Sequence, residues 1–168
     1  MDIYRVTAQS PAWQRIAYDY VRMDAFVVGQ GIPVEMEYNG DGSGEDLNAV
    51  ILVDDHKPVA GLRIAYPEPG IGKIERVCVV RERQRGGLGH IIIEEAEKWI
   101  VEKGVHHVVI SAQDRASGFY ERVGYVVNPD ADPNKYSHRR PRPKEEAPEF
   151  KGPRPNLGFK CVLMEKDL

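Results

Sequence analysis

The run Val79-Val80-Arg81-Glu82-Arg83-Gln84-Arg85-Gly86-Gly87-Leu88-Gly89-His90 constrains this chain more than any other stretch. An apolar segment precedes it and a helix-patterned segment follows it. Three glycines within four residues let the backbone take positive φ and bring it close to whatever lies above it. The first amides of a helix have no internal partner, and they sit at the positive end of the helix dipole. A phosphate is well placed there. Two phosphate-loop motifs fail on the letters. A P-loop needs Gly-Lys-Ser/Thr, which is absent, and a dinucleotide fingerprint needs glycine or alanine where Ile92 stands. Glycine spacing alone also fits a tight strand-to-helix turn with no ligand.

The flanking pattern is a strand over Ile74 to Val80 and a helix over Leu88 to Lys103. In the helix, Ile92, Ile93, Ala96, Trp99 and Ile100 form one apolar stripe, and Gly104 is its stop. Upstream, Asp2 to Ala8 alternates as a strand. Ser10-Pro11 reads as a cap and first helical residue. Trp13, Ile16, Ala17, Tyr20, Val21 and Asp24 follow at helical spacing to about Phe26. Asn48 to Asp54 and Pro58 to Tyr66 form a hairpin through Asp55-His56-Lys57. Downstream, Val105 to Ile110 is a strand, and Asp114 caps a short helix with Ala116, Phe119, Tyr120 and Val123. Short strands follow at Tyr125 to Val127 and Phe159 to Met164. The strand-helix-strand unit in the middle predicts a parallel crossover. The expected fold is an α/β (α+β) domain with a mixed, mostly antiparallel sheet of about six to seven strands and helices on both faces.

At 168 residues the chain fits one domain. Seven of the twelve prolines fall between Pro129 and Pro155, so a long loop insertion at about 128–156 is expected within it. The basic run His138 to Lys144 lies inside that insertion. With 42% apolar residues and a net charge of -3, the chain can bury a core and does not read as a nucleic-acid binder. Cys78 and Cys161 are too few for a disulfide framework. No leader pattern opens the chain and no apolar run approaches a membrane span, so a cytoplasmic protein is expected, with no membrane partner.

Gln84-x-x-Gly87-x-Gly89 resembles the Arg/Gln-x-x-Gly-x-Gly/Ala motif of the GNAT N-acetyltransferase superfamily. The resemblance runs from the first helix to the last strand. Phe119-Tyr120-Glu121-Arg122-Val123-Gly124-Tyr125 is similar to the family's Phe-Tyr-x-x-x-Gly-Phe/Tyr stretch. Ser111-Ala112-Gln113 ends the fifth strand as in a subgroup of small bacterial members. Phe26-Val27-Val28-Gly29-Gln30 resembles that subgroup's Phe-Val-x-Glu-Gln, with Gly29 in place of the glutamate. The fold and activity implied are those of an acyl-CoA-dependent N-acetyltransferase acting on a small-molecule or peptide amine. A homodimer is compatible with it.

The resemblance assigns acetyl-CoA as co-substrate. Its pyrophosphate would lie on backbone groups of Gln84, Arg85, Gly86, Gly87, Leu88 and Gly89, with His90. Arg85 and Arg83 could add charge. Its pantetheine would pair with the main chain of Cys78, Val79 and Val80. Tyr120 is the expected general acid, because a phenol can donate to a departing thiolate. Glu75 is the candidate general base, directly or through a water. Arg76 and Gln113 are candidate substrate contacts, with Arg76 on the opposite strand face from Glu75. Glu35, Glu37 and Asp41 could draw a cationic amine. A surface salt bridge or a solvated loop remains the plainer alternative for Glu75, Arg76 and the acidic residues. His106-His107 points two ways from a strand and no Cys/His cluster exists, so no metal is expected. Cys78 reads as core, and transfer is expected to be direct. The competing reading is a catalytically silent acyl-CoA-binding or partner-binding module that keeps the same pocket.

Overall fold

The computed structural model describes residues 1–38, 46–137 and 156–168. The chain forms β1 (Asp2–Thr7), α1 (Ala12–Arg22), a wider π turn (Met23–Val28), α2 (Val34–Glu37), β2 (Asn48–Asp54), β3 (Lys57–Glu68) and β4 (Ile71–Val79). It continues with a 3-10 turn (Arg81–Arg83), α3 (Leu88–Glu102), β5 (His107–Gln113), a second 3-10 turn (Asp114–Ala116), α4 (Ser117–Arg122), β6 (Val126–Asn128) and β7 (Cys161–Asp167). Seven strands make one sheet in the order β1-β2-β3-β4-β5-β7-β6. Among the described strands only β4 and β5 run parallel. The order of strands, the crossover and the mostly antiparallel sheet agree with the sequence expectation, whereas α2 stands where a loop was expected.

Helices cover both faces. On β2, Ala49 and Ile51 face Ala17 and Tyr18 of α1. Val50 and Leu52 face the other way, in the cluster holding Ile92, Ile93, Ala96 and Ile100 of α3. Tyr136 packs with Val109 and Leu163, and its carbonyl accepts the Lys73 ammonium at 3.2 Å. The residues just after β6 thereby close on the α1 side of the sheet. Asp41 and the basic run His138 to Lys144 lie outside the described residues.

Two expectations change at α1. Ser10 does not cap the helix: its hydroxyl accepts the Thr7 amide at 2.9 Å, and Pro11 occupies the cap position. The helical spacing is right but combines two faces. Ala17, Tyr18, Val21, Ala25 and Phe26 point inward, whereas Trp13, Ile16 and Tyr20 are exposed.

The β5–β7 edge carries a titratable clasp. Nδ1 of His107 is 2.7 Å from Asp167 and Nε2 is 3.4 Å from Glu165. The hydrogen bond to Asp167, then that to Glu165, outweigh partial burial and raise the imidazole's pKa. A raised folded-state pKa gives stability that is complete below the unfolded value near ~6.5 and is lost as pH rises through the folded value. His107→Gln is therefore expected to lower stability by up to about 1 kcal/mol at pH 5.5 and by less at pH 9. Denaturant melts at both pH values check this; an equal loss at both would contradict it.

Candidate functional site

β4 and β5 pair over only three rungs, Ile71 with His107, Gly72 with Val108 and Lys73 with Val109. Beyond Lys73 the strands separate, and among the described residues no strand pairs with β4 on that side. Val80 does not contribute there. Its N–H donates to Val59 at 2.9 Å and its carbonyl accepts Arg83 at 2.9 Å. In an antiparallel ladder alternate residues face the partner strand, so Cys78, paired with Gly61, also turns its backbone toward β3. Val79 alone of the three faces the opening, where its carbonyl accepts the Gln84 side-chain amide at 3.3 Å. The expected pantetheine contacts of Cys78 and Val80 are corrected on that ground.

The glycine loop leads directly from this edge into α3. Among the described residues, none of the backbone N–H groups from Gln84 to Gly89 makes a well-formed hydrogen bond to another backbone group, and Gln84 to Gly87 are exposed. Gly87, at φ 79°, is the left-handed residue before the first turn of α3, a conformation that favours glycine. Arg85 takes φ 66° without being glycine, which stores strain of the kind that collects at ligand sites. His90 is corrected: its N–H is spent on Gly87 at 3.1 Å. Its ring instead meets Phe119 edge-on at 5.5 Å. Arg83 is held by Asp54 at 2.8 Å, while Arg85 makes no ion pair among the described residues.

Gly89 has a different task from the one its place in the motif suggests. A Cβ there would lie 2.9 Å from Cζ of Phe119. The missing side chain lets α4 close against the head of α3. Phe119 in turn meets Tyr120 at 5.0 Å, and Tyr120 meets Tyr125 at 6.2 Å. A continuous run of rings thus joins the free amides to the buried Tyr120. Burial, with a smaller effect of nearby Cys78, raises the phenol's pKa well above the ordinary value. The Cys78 thiol donates to Gly61 at 3.4 Å, and burial pushes it up to about 12. A thiol so held is inert as a nucleophile at neutral pH.

Glu75 and Arg76 depend on an irregularity in β4. Gly61 pairs with Cys78 but Arg63 pairs with Glu75, so β4 carries one extra residue. Arg76 takes φ 56° there, which makes the segment a β-bulge. The bulge breaks the strand's alternation. Arg76 reaches Glu37 (Nε to Oε1, 3.1 Å) on the α1 side of the sheet, the side that Glu75 also faces. The expected opposite facing of these neighbours is thereby overturned. Glu75 lies 3.2 Å from Arg63 and 3.4 Å from Lys73. Burial works to raise its pKa, but Arg63, Lys73 and Arg76 together hold it below the ordinary value.

Gln113, at the end of β5, donates to Gln30 at 3.0 Å and accepts from Arg115 at 2.8 Å. It ties the end of β5 to the end of the first helical segment across the opening. The space where Gly29 replaces an expected glutamate is taken. A Cβ at Gly29 would lie 3.1 Å from Cδ of Arg81. Arg81 is clamped to Asp24 through its backbone N–H at 2.8 Å and its guanidinium at 3.1 and 3.2 Å. This clamp anchors the turn that enters the glycine loop.

Sequence reasoning missed the buried pair beneath the bulge. Arg22 is 1% and Glu37 3% exposed, with Nε and Nη2 of Arg22 at 3.0 and 2.9 Å from Oε1 of Glu37. Glu37, expected in an acidic loop, is a structural counter-ion. No local motif points to Arg22, because its partner lies 15 residues away.

Residues 20–136 match the acetyltransferase (GNAT) domain model. The chain is 34% identical over 108 residues to the uncharacterized N-acetyltransferase YjcF of Bacillus subtilis, covering 64% of this chain and 75% of that protein. Its fold is similar to an acyl-CoA N-acyltransferase from Pseudomonas aeruginosa, with a TM-score of 0.73, 20% identity and 99% of both chains covered. It is also similar to the PaiA N-acetyltransferase of Thermoplasma acidophilum, solved in complex with coenzyme A, at a TM-score of 0.66, 13% identity and all of both chains. No helix among the described residues is long and apolar enough to cross a membrane. With the family model spanning well over half of its length, the chain belongs to the GNAT acetyltransferase family.

Proposed function

We propose that the protein transfers an acetyl group from acetyl-CoA to a primary amine by direct attack. One observation carries this reading: the row of free amides from Gln84 to Gly89 runs, through Phe119, to a buried phenol at Tyr120. An anionic diphosphate fits the first end and a departing thiolate the second. The solved relative containing coenzyme A supports the choice of carrier.

Acetyl-CoA brings the activated thioester. The residues of this chain supply the rest. The amides of Gly87, Leu88 and Gly89, at the head of α3, bind diphosphate, with Arg85 adding positive charge nearby. The backbone of Val79 extends β4 toward the bound carrier as a strand edge does toward a peptide. Tyr120 keeps its proton until the carbon–sulfur bond breaks, then donates it to sulfur. An amine near pKa ~10.4 reaches the site mostly as ammonium and must lose a proton first. Glu75 has low proton affinity beside Arg63 and Lys73. Of its two candidate roles, orienting a water that carries the proton outward is the one this environment favours. The inert Cys78 thiol is consistent with transfer that forms no acyl-cysteine.

Titration calorimetry with coenzyme A, followed by a free-thiol release assay over a panel of polyamines, amino acids and peptides, tests the proposal. Saturable one-to-one binding and thiol release with at least one amine are expected. Binding without release from any amine would favour the silent module, and no binding at all would remove the reading.

A further inference from the structure

A cavity of about 250 Å³ lies on the α1 side of the sheet, between α1, the residues entering β2 and the middle of β3. That is far more than the ~30 Å³ one water takes up in the liquid. It is just under the ~300–1,000 Å³ of pockets that hold drug-sized ligands. One small molecule fits. Ala12, Arg15, Tyr18, Asp19, Arg22 and Arg63 line it. No residue of the glycine loop or α4 does, so the cavity is distinct from the free amides and Tyr120.

The charge of the lining suits an anion. Among the described residues, three arginines share the cavity with one carboxylate, Asp19, which lies 3.7 Å from Arg22. Arg22 also holds Glu37, and Arg63 lies 3.2 Å from Glu75. Arg15 makes no ion pair among the described residues. Its Nε is buried and has no hydrogen-bond partner. A buried charged donor left in that state costs stability unless something meets it. The head of α1 adds to the same field. Ala12 is its first residue, and no acidic side chain stands in its first turn. The unpaired amides and dipole of a helix head favour negative charge. Ala12 and Arg15, three residues apart, lie on one face of the helix.

Two features narrow the ligand. A guanidinium offers a planar fork that matches a carboxylate or a phosphate. Beside it, the buried Leu47 and the ring of Tyr18 form an apolar wall, which a bare inorganic ion would leave unused. We infer that this cavity binds a small organic monocarboxylate, with its carboxylate on Arg15 at the head of α1 and its apolar part against Leu47 and Tyr18. Arg63 gives the site a line to Glu75, because it touches both the cavity and that carboxylate. An occupant's negative charge draws on the guanidinium that holds Glu75 ionised. The binding itself stands independently of the acetyl-transfer reading.

Titration calorimetry of the full chain with isovalerate, with its neutral isostere isovaleramide and with inorganic phosphate is the test. Isovalerate should bind saturably, about tenfold or more tightly than either of the others. Arg15 has no ion pair to lose, so Arg15→Gln should keep the wild-type melting temperature and coenzyme A affinity. Its affinity for isovalerate should fall about tenfold or more. Amide chemical-shift mapping on the wild-type chain fixes the place without relying on the variant. Isovalerate should move the signals of Ala12, Arg15 and Leu47 and leave those of Gly86, Gly87 and Gly89 unchanged. No saturable binding of isovalerate, equal binding of isovaleramide or phosphate, indifference to Arg15→Gln, or shifts centred on the glycine loop would each overturn the inference.

Discussion

Replacing Tyr120 with phenylalanine is expected to lower kcat by about 10²–10⁴-fold, the range a positioned general acid supplies, while leaving the KM for acetyl-CoA within about threefold. The change deletes one oxygen and keeps the ring. Its contacts with Phe119 and Tyr125 depend on the ring alone, so the melting temperature should hold. The wild-type pH profile should accompany the variant. Burial keeps the phenol protonated far up the pH scale, so rate should climb with pH as amine deprotonates and show no falling limb from Tyr120 below about pH 10. A kcat within a few-fold of wild type in the variant would remove Tyr120 from the chemistry and return the general acid to solvent.

The largest stability effect should come from Glu37→Leu. This carboxylate takes two bonds from Arg22 and one contact from Arg76, and the Arg22 guanidinium lies against the rings of Tyr18 and Tyr38 at 5.2 and 4.5 Å. Removing the partner of a buried charge costs about 3–5 kcal/mol, and the low end applies here because Asp19 at 3.7 Å and the carbonyl of residue 37 at 3.0 Å still face Arg22. That is a large part of a typical domain's ~5–15 kcal/mol. Adding Arg22→Met to Glu37→Leu removes the stranded charge and should recover much of the loss. Urea unfolding of both variants decides it: if the single variant loses less than about 1 kcal/mol, the pair is not a stability element.

Much of the architecture was legible because it is written in local patterns. The stripe of Ile92, Ile93, Ala96, Trp99 and Ile100 gave α3, and the Asp55-His56-Lys57 turn gave the hairpin. The order of strands and helices gave the crossover. What escaped was set by contacts distant in sequence. The bulge at Arg76 carries no glycine to announce it, and its side chain finds Glu37 only once α2 is in place. The outward and inward sides of α1 could not be separated by periodicity, because both are apolar. The glycine motif located the free amides, but it did not divide the labour between Gly87, which sets the backbone, and Gly89, which admits Phe119. Nor could it show that His90 and Val80 have already spent the groups assigned to a ligand.

The short parallel seam has a mechanical consequence. Two half-sheets, β1 to β4 and β5 to β7, meet like the legs of a pair of compasses, riveted at one end. At the rivet, Ile100 presses on Gly72, where even one added carbon would lie 3.0 Å from its Cγ2. Because the legs diverge from that point, a displacement of a few tenths of an ångström at the rivet grows along them before it reaches Val79 and Gln113. A substitution that wedged this end, such as Gly72→Ala against Ile100, would therefore be expected to alter the gauge of the mouth from a distance.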